Sequence, residues 1–64
     1  MLINGTEVQL SQNETREVSC LYGHIHFHGR EYAQKVADLW VAQAHDEDAK
    51  QRRQEATRAL SLNA

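Results

Sequence analysis

The chain opens on an apolar pair, Leu2-Ile3, followed by Asn4-Gly5 and then an alternation in which Val8 and Leu10 are interleaved with polar Glu7 and Gln9. Asn-Gly suits a two-residue type I′ turn, because both central residues need positive φ. The pattern predicts a β-hairpin whose second arm buries one face. Leu2 and Ile3 alone make the first arm, so the hairpin needs packing from elsewhere. Ser11-Gln12-Asn13-Glu14 then has capping-box form, the serine hydroxyl facing the Glu14 amide and the glutamate facing back. A helix from Gln12 to Tyr22 is expected, with Val18, Leu21 and Tyr22 on one face and Gly23 as a left-handed C-terminal cap.

After Gly23 the period changes. His24-Ile25-His26-Phe27-His28 alternates strictly, which predicts a third strand with Ile25 and Phe27 facing the core and three imidazoles facing out. Gly29 releases the chain into a 3.6-residue pattern, where Tyr32, Val36, Leu39 and Trp40 form a stripe and Ala33 and Ala37 permit close approach. The stripe stops at His45-Asp46-Glu47-Asp48. No glycine or proline interrupts residues 30–60, so one long helix satisfies the pattern, as does a further helix capped by Asp46 that folds back. Asp46–Lys50 and Asp48–Arg52 are acid-before-base pairs at i,i+4, suited to a solvated helix. The expected fold class is a small α+β domain of order ββαβα, its long final helix lying across a three-stranded sheet. One domain spans 1–64, with a packed body over 1–45 and a polar helical extension over 46–64.

Sixty-four residues bury only about 60% of the unfolded surface, and a single small core rarely nets more than ~3–5 kcal/mol. A disulfide within the chain is excluded because Cys20 is the single cysteine. A lone thiol suits a reducing compartment, so a cytoplasmic protein is expected, with Cys20 as a small buried side chain. No apolar run approaches a membrane span, and no basic-then-apolar signal region opens the chain. Charge is uneven: residues 1–48 carry eight acids and three bases (−5), residues 49–64 one acid and four bases (+3), together the net −2. An acidic body repels phosphate at long range, which disfavours strong nonspecific nucleic-acid binding.

The imidazole row offers three chemistries. On a strand, neighbours in an HxH pair stand about 6.6 Å apart and could share a metal, whereas His24 and His28 would be roughly 13 Å apart, too far for both to reach one ion. A site would therefore use one neighbouring pair and borrow His45, Asp46 or Cys20; no CxxC, HExxH or finger spacing is present. The second is a pH response, since adjacent imidazoles repel once protonated. The third, and plainest, is an exposed face that a partner contacts. The segment Lys50–Arg58 could touch phosphate, but its spacing spreads Lys50, Arg53 and Arg58 around more than one helix face, so a solvated, self-paired helix explains it better. Tyr32, Val36, Leu39 and Trp40 read as core, or as a self-association face in a domain with little core of its own. No phosphate loop, nucleophile triad or carboxylate pair indicates an enzyme or a cofactor.

Val8, Leu10, Ser11, Glu14, Val18, Leu21, Gly23, Leu39 and Trp40 stand in an order (hairpin, Val-x-Leu-Ser-x-x-Glu, helix, glycine, short strand, helix ending in Leu-Trp) that resembles the first half of the winged-helix effector domain of bacterial response regulators. The resemblance covers roughly the first 40 residues. It implies DNA binding, with the 30–44 helix as a support and the basic segment facing DNA. The chain departs from the pattern at Asp46-Glu47-Asp48, where a recognition helix and wing should begin. Taken together, the sequence points to a small non-catalytic regulator, an inhibitor or adaptor that occupies a surface on a protein partner. His24, His26 and His28 are the first contact candidates and Arg52, Arg53 and Arg58 the second. A winged-helix-like DNA-binding regulator and a small metal-binding protein using the HxHxH strand are the alternatives, and a homodimer suits the size.

Overall fold

Asn4 and Gly5 both take positive φ, 47° and 86°, as a type I′ turn demands. The structure, a computed structural model, describes residues 1–62. The turn joins β1 (Leu2–Ile3) to β2 (Thr6–Glu7) in antiparallel register, Leu2 opposite Glu7 and Ile3 opposite Thr6. The Val8 N–H extends the ladder by donating to the Met1 carbonyl at 2.8 Å. Ile3 and Val8 are buried, so the hairpin is held by the helices beneath it.

Helix α1 (Gln12–His28) starts at the expected capping box: the Glu14 N–H donates to Ser11 Oγ at 3.1 Å and the Ser11 N–H to Glu14 Oε1 at 3.0 Å. It does not stop at Gly23. Residues His24–His28 are its last turns, so the predicted third strand does not exist. Among the described residues the fold is three helices and a two-stranded hairpin, not ββαβα with a three-stranded sheet. Ile25 explains the difference. It lies four residues after Leu21 and seven after Val18, and it packs against the same core. The period-two alternation is thus also the continuation of a helical stripe. A glycine inside a helix costs only about 1 kcal/mol, which the packing of half-buried Ile25 against the core offsets. The real terminus is Gly29, at φ 88° and ψ 166°, a region essentially confined to glycine.

Helix α2 (Arg30–Ala42) follows that single residue, its Ala33 N–H donating to the Gly29 carbonyl at 3.2 Å. Its buried face is Ala33, Ala37 and Trp40. The predicted stripe is therefore rotated: Tyr32 and Leu39 are exposed and Val36 half-buried. Two alanines on the inner face bring α2 close to its neighbours, and the larger side chains are displaced outward. The single long C-terminal helix also fails. After Ala42 the chain turns, and Asp46 caps α3 (Glu47–Ala59) by accepting the Ala49 N–H at 2.7 Å. Helix α3 folds back over the body, burying Ala49, Ala56 and Thr57, with Leu60 just beyond it. Asn4 Nδ2 donates to the Ala59 carbonyl at 3.0 Å and an Arg30 guanidinium N–H to the Ser61 carbonyl at 3.2 Å, closing that end. Asn63 and Ala64, the last of the expected extension, lie outside the described residues.

The core joins Ile3, Val8, Val18, Leu21, Ala37, Trp40, Ala56 and Leu60. Beside it sits a carboxylate. Glu14 is only 3% exposed, and besides the Ser11 amide it accepts from Arg53 Nε at 3.2 Å and Arg52 Nε at 3.3 Å. Arg53 also donates through Nη1 to the Trp40 carbonyl at 2.7 Å, and its guanidinium carbon lies 5.1 Å from the Trp40 ring centre. Burial pushes the Glu14 carboxyl up, but the Ser11 amide and the two arginines outweigh it and hold the group below its ordinary value. A capping-box glutamate thereby fastens all three helices.

Candidate interaction surface

Helical rather than extended backbone regroups the histidines. Residues four apart on a helix are neighbours, so His24 and His28 share a face, with ring centres 5.6 Å apart. Tyr32 of α2 packs against both, 5.2 Å from His24 and 5.0 Å from His28. His26 is turned about 200° from His24 and meets Phe27 edge-on at 5.1 Å. The outward row of three imidazoles is therefore a pair and a single. Phe27, expected in the core, is 79% exposed, because on a helix it points away from the Val18–Leu21–Ile25 stripe.

Between α1 and α2 runs a shallow groove of ≈ 220 Å³, with Glu17, Cys20 and His24 on one wall and Val36, Leu39 and Gln43 on the other. Leu21 and Trp40 also line it. Cys20 is exposed, contrary to the buried position expected, because residue 20 precedes the buried Leu21 by one step and so turns about 100° from it. The groove continues the His24–His28–Tyr32 cluster through His24. Leu39, 59% exposed, lines it, and Tyr32, 47% exposed, packs against His24 on its wall. Such a run of apolar and aromatic surface is the type that partners cover. The i,i+4 spacing of residues 24 and 28 was the available signal for the pair, whereas Tyr32 joins it from α2 across the break at Gly29.

The basic residues divide. Arg52 and Arg53 are engaged on Glu14, so the basic tail and acidic body neutralise each other in part within the fold. Arg58 is exposed on the outer side of α3, where it flanks a polar depression with Lys50, Glu47 and Glu55. That face alternates in sign. The self-association candidates divide too: Val36 and Leu39 line the groove and Tyr32 packs on the histidine pair, whereas Trp40 is 5% exposed at the groove floor, with Arg53 against its ring.

His45 is exposed in the α2–α3 link. Helix α2 is about 20 Å long, which puts His45 at the far end from His28. Among the described residues no three His, Cys, Asp or Glu side chains form a set that could hold a metal ion. Within the same residues no helix is long and apolar enough to cross a membrane. The chain gives no significant match to any protein-family model, curated protein or solved structure.

Proposed function

We propose that this chain is a small non-catalytic binding module, an inhibitor or adaptor that docks a protein partner in the cytoplasm through the α1–α2 face. The observation that carries the reading is the exposed Tyr32 and Leu39 beside the His24–His28 pair, bordering an apolar groove. Aromatic side chains supply large contact area at low entropic cost, and histidine adds adaptable hydrogen bonding. Arg52 and Arg53 leave the list of contact candidates because they hold the fold together, and His26 with Phe27 forms a separate outward patch. Arg58 stays a peripheral candidate. The DNA-binding alternative draws no support from α3, whose outer face mixes Glu47 and Glu55 with Lys50 and Arg58.

Photo-crosslinking from a benzoylphenylalanine placed at position 32 tests this, with position 54 on the outer face of α3 as control. A single protein adduct from position 32 that survives nuclease supports the reading. Adducts only from position 54, or adducts abolished by nuclease, overturn it.

A further inference from the structure

We propose that His24 and His28 form a two-imidazole chelate for a divalent transition ion (Cu²⁺, Ni²⁺ or Zn²⁺) at the C-terminal end of α1. Helical geometry makes the pair. An imidazole bound at ~2.0–2.1 Å through a ring nitrogen holds its ring centre roughly 3.2 Å from the ion. Two such rings at a tetrahedral angle have centres about 5.2 Å apart, and at a right angle about 4.5 Å. The observed 5.6 Å is a few tenths of an ångström beyond the tetrahedral value, a gap that small side-chain rotations close. On a straight strand the same two residues could not have met.

Three further observations favour the site. None of the side-chain hydrogen bonds among the described residues uses a ring nitrogen of either histidine, so the donors are uncommitted. Tyr32 packs against both rings and limits their swing, which lowers the ordering cost of chelation. His28 is the last residue of α1, where the helix carries partial negative charge that favours a cation. The described residues add no third protein ligand, so the other coordination positions take water or donors from a second molecule. Imidazole donors and the order of divalent affinities place Cu²⁺ tightest.

The test is calorimetric titration of the intact chain with Cu²⁺ and with Ni²⁺ in a non-coordinating buffer, the fold of each variant being checked by circular dichroism. His24→Ala and His28→Ala should each weaken binding about tenfold or more, while His26→Ala and His45→Ala stay within about twofold. At one fixed Ni²⁺ concentration well above the parent's Kd, the thermal midpoint of the parent should rise by more than that of the His24→Ala or His28→Ala variant, since an ion stabilises the folded state more the more tightly it binds it. Equal losses at His26 or His45 would overturn the assignment. So would a thiolate-to-metal charge-transfer band, which would make Cys20 a ligand, or binding no tighter than that of the His24→Ala/His28→Ala double variant. Tyr32→Ala should weaken the site without abolishing it.

Discussion

Arg53 reaches Glu14 across 39 positions of chain, placing Nε 3.2 Å from Oε2 of a carboxylate whose other oxygen, Oε1, accepts the Ser11 N–H at the start of α1. The same guanidinium binds the Trp40 carbonyl, so one side chain from α3 fixes the N-terminal end of α1 to the C-terminal part of α2. Removing either partner strands a charge in a poorly hydrated place. Glu14→Gln keeps the size but loses the charge-assisted bonds, and should cost about 2–3 kcal/mol. A single core of this size rarely nets more than ~3–5 kcal/mol, so that loss is a large share of the stability available. Arg53→Ala should cost more than Arg52→Ala, because the Arg52 side chain is 38% exposed and the Arg53 side chain 13%. Urea midpoints of the three variants check the order; an Arg52→Ala effect equal to that of Arg53→Ala would contradict it.

Acid should loosen the same junction. The Glu14 carboxyl titrates below its ordinary value in the fold, so the unfolded chain takes up its proton first as pH falls. Its contribution is fully present above the unfolded value of about 4.3 and is lost as pH drops from there through the folded value. Urea midpoints measured from pH 7 to pH 3 should fall most steeply at the acid end. Glu14→Gln should flatten that limb while lowering the neutral plateau. An unchanged acid limb in the variant would place the sensitivity elsewhere.

The parts of this fold that local chemistry specifies could be read from the chain. Asn4-Gly5 forces its turn, Ser11 and Glu14 form their box, and Asp46 caps a helix. What could not be read was set at a distance. His24–His28 fits two periods at once, and packing of Ile25 on the core decided between them. The α2 stripe rotated because Ala33 and Ala37, the smaller side chains, allow the closest approach. The roles of Arg52 and Arg53 depend on a carboxylate nearly forty residues earlier, which no spacing rule links to them. At the candidate site, three histidines were visible as a feature, but their pairing followed from the helix.

Two glycines discriminate the helical reading from the strand reading. Gly29 sits at φ 88° and Gly23 at an ordinary helical φ, and a Cβ at either position meets open space. Any effect of Gly→Ala is therefore one of backbone conformation. Gly29→Ala should destabilise by about 1–3 kcal/mol, the cost of forcing a side chain into that region. Gly23→Ala should stabilise by about 0.5–1 kcal/mol, since alanine loses less freedom in a helix interior. If Gly23 were the left-handed cap of a shorter helix, its substitution would be the damaging one. Thermal midpoints of the two variants decide it.

The exposed aromatics supply the last contrast. Phe27 is 79% exposed and Leu21 2%, although a strand would have buried Phe27 and a helix must turn it outward. Leu21→Ala removes a fully packed side chain from the centre of the core and should cost about 2–5 kcal/mol, enough to unfold most of the population. Phe27→Ser exchanges apolar surface already in water for a hydroxyl, and its effect on stability should stay within about 0.5 kcal/mol. Leu39→Ser on the groove rim should likewise leave the urea midpoint nearly unchanged, yet it removes apolar surface from the proposed docking face. The two surface variants therefore separate the patches once a partner is in hand. Leu39→Ser should weaken the complex and Phe27→Ser should not, whereas the reverse result would move the interface to the His26–Phe27 side of α1.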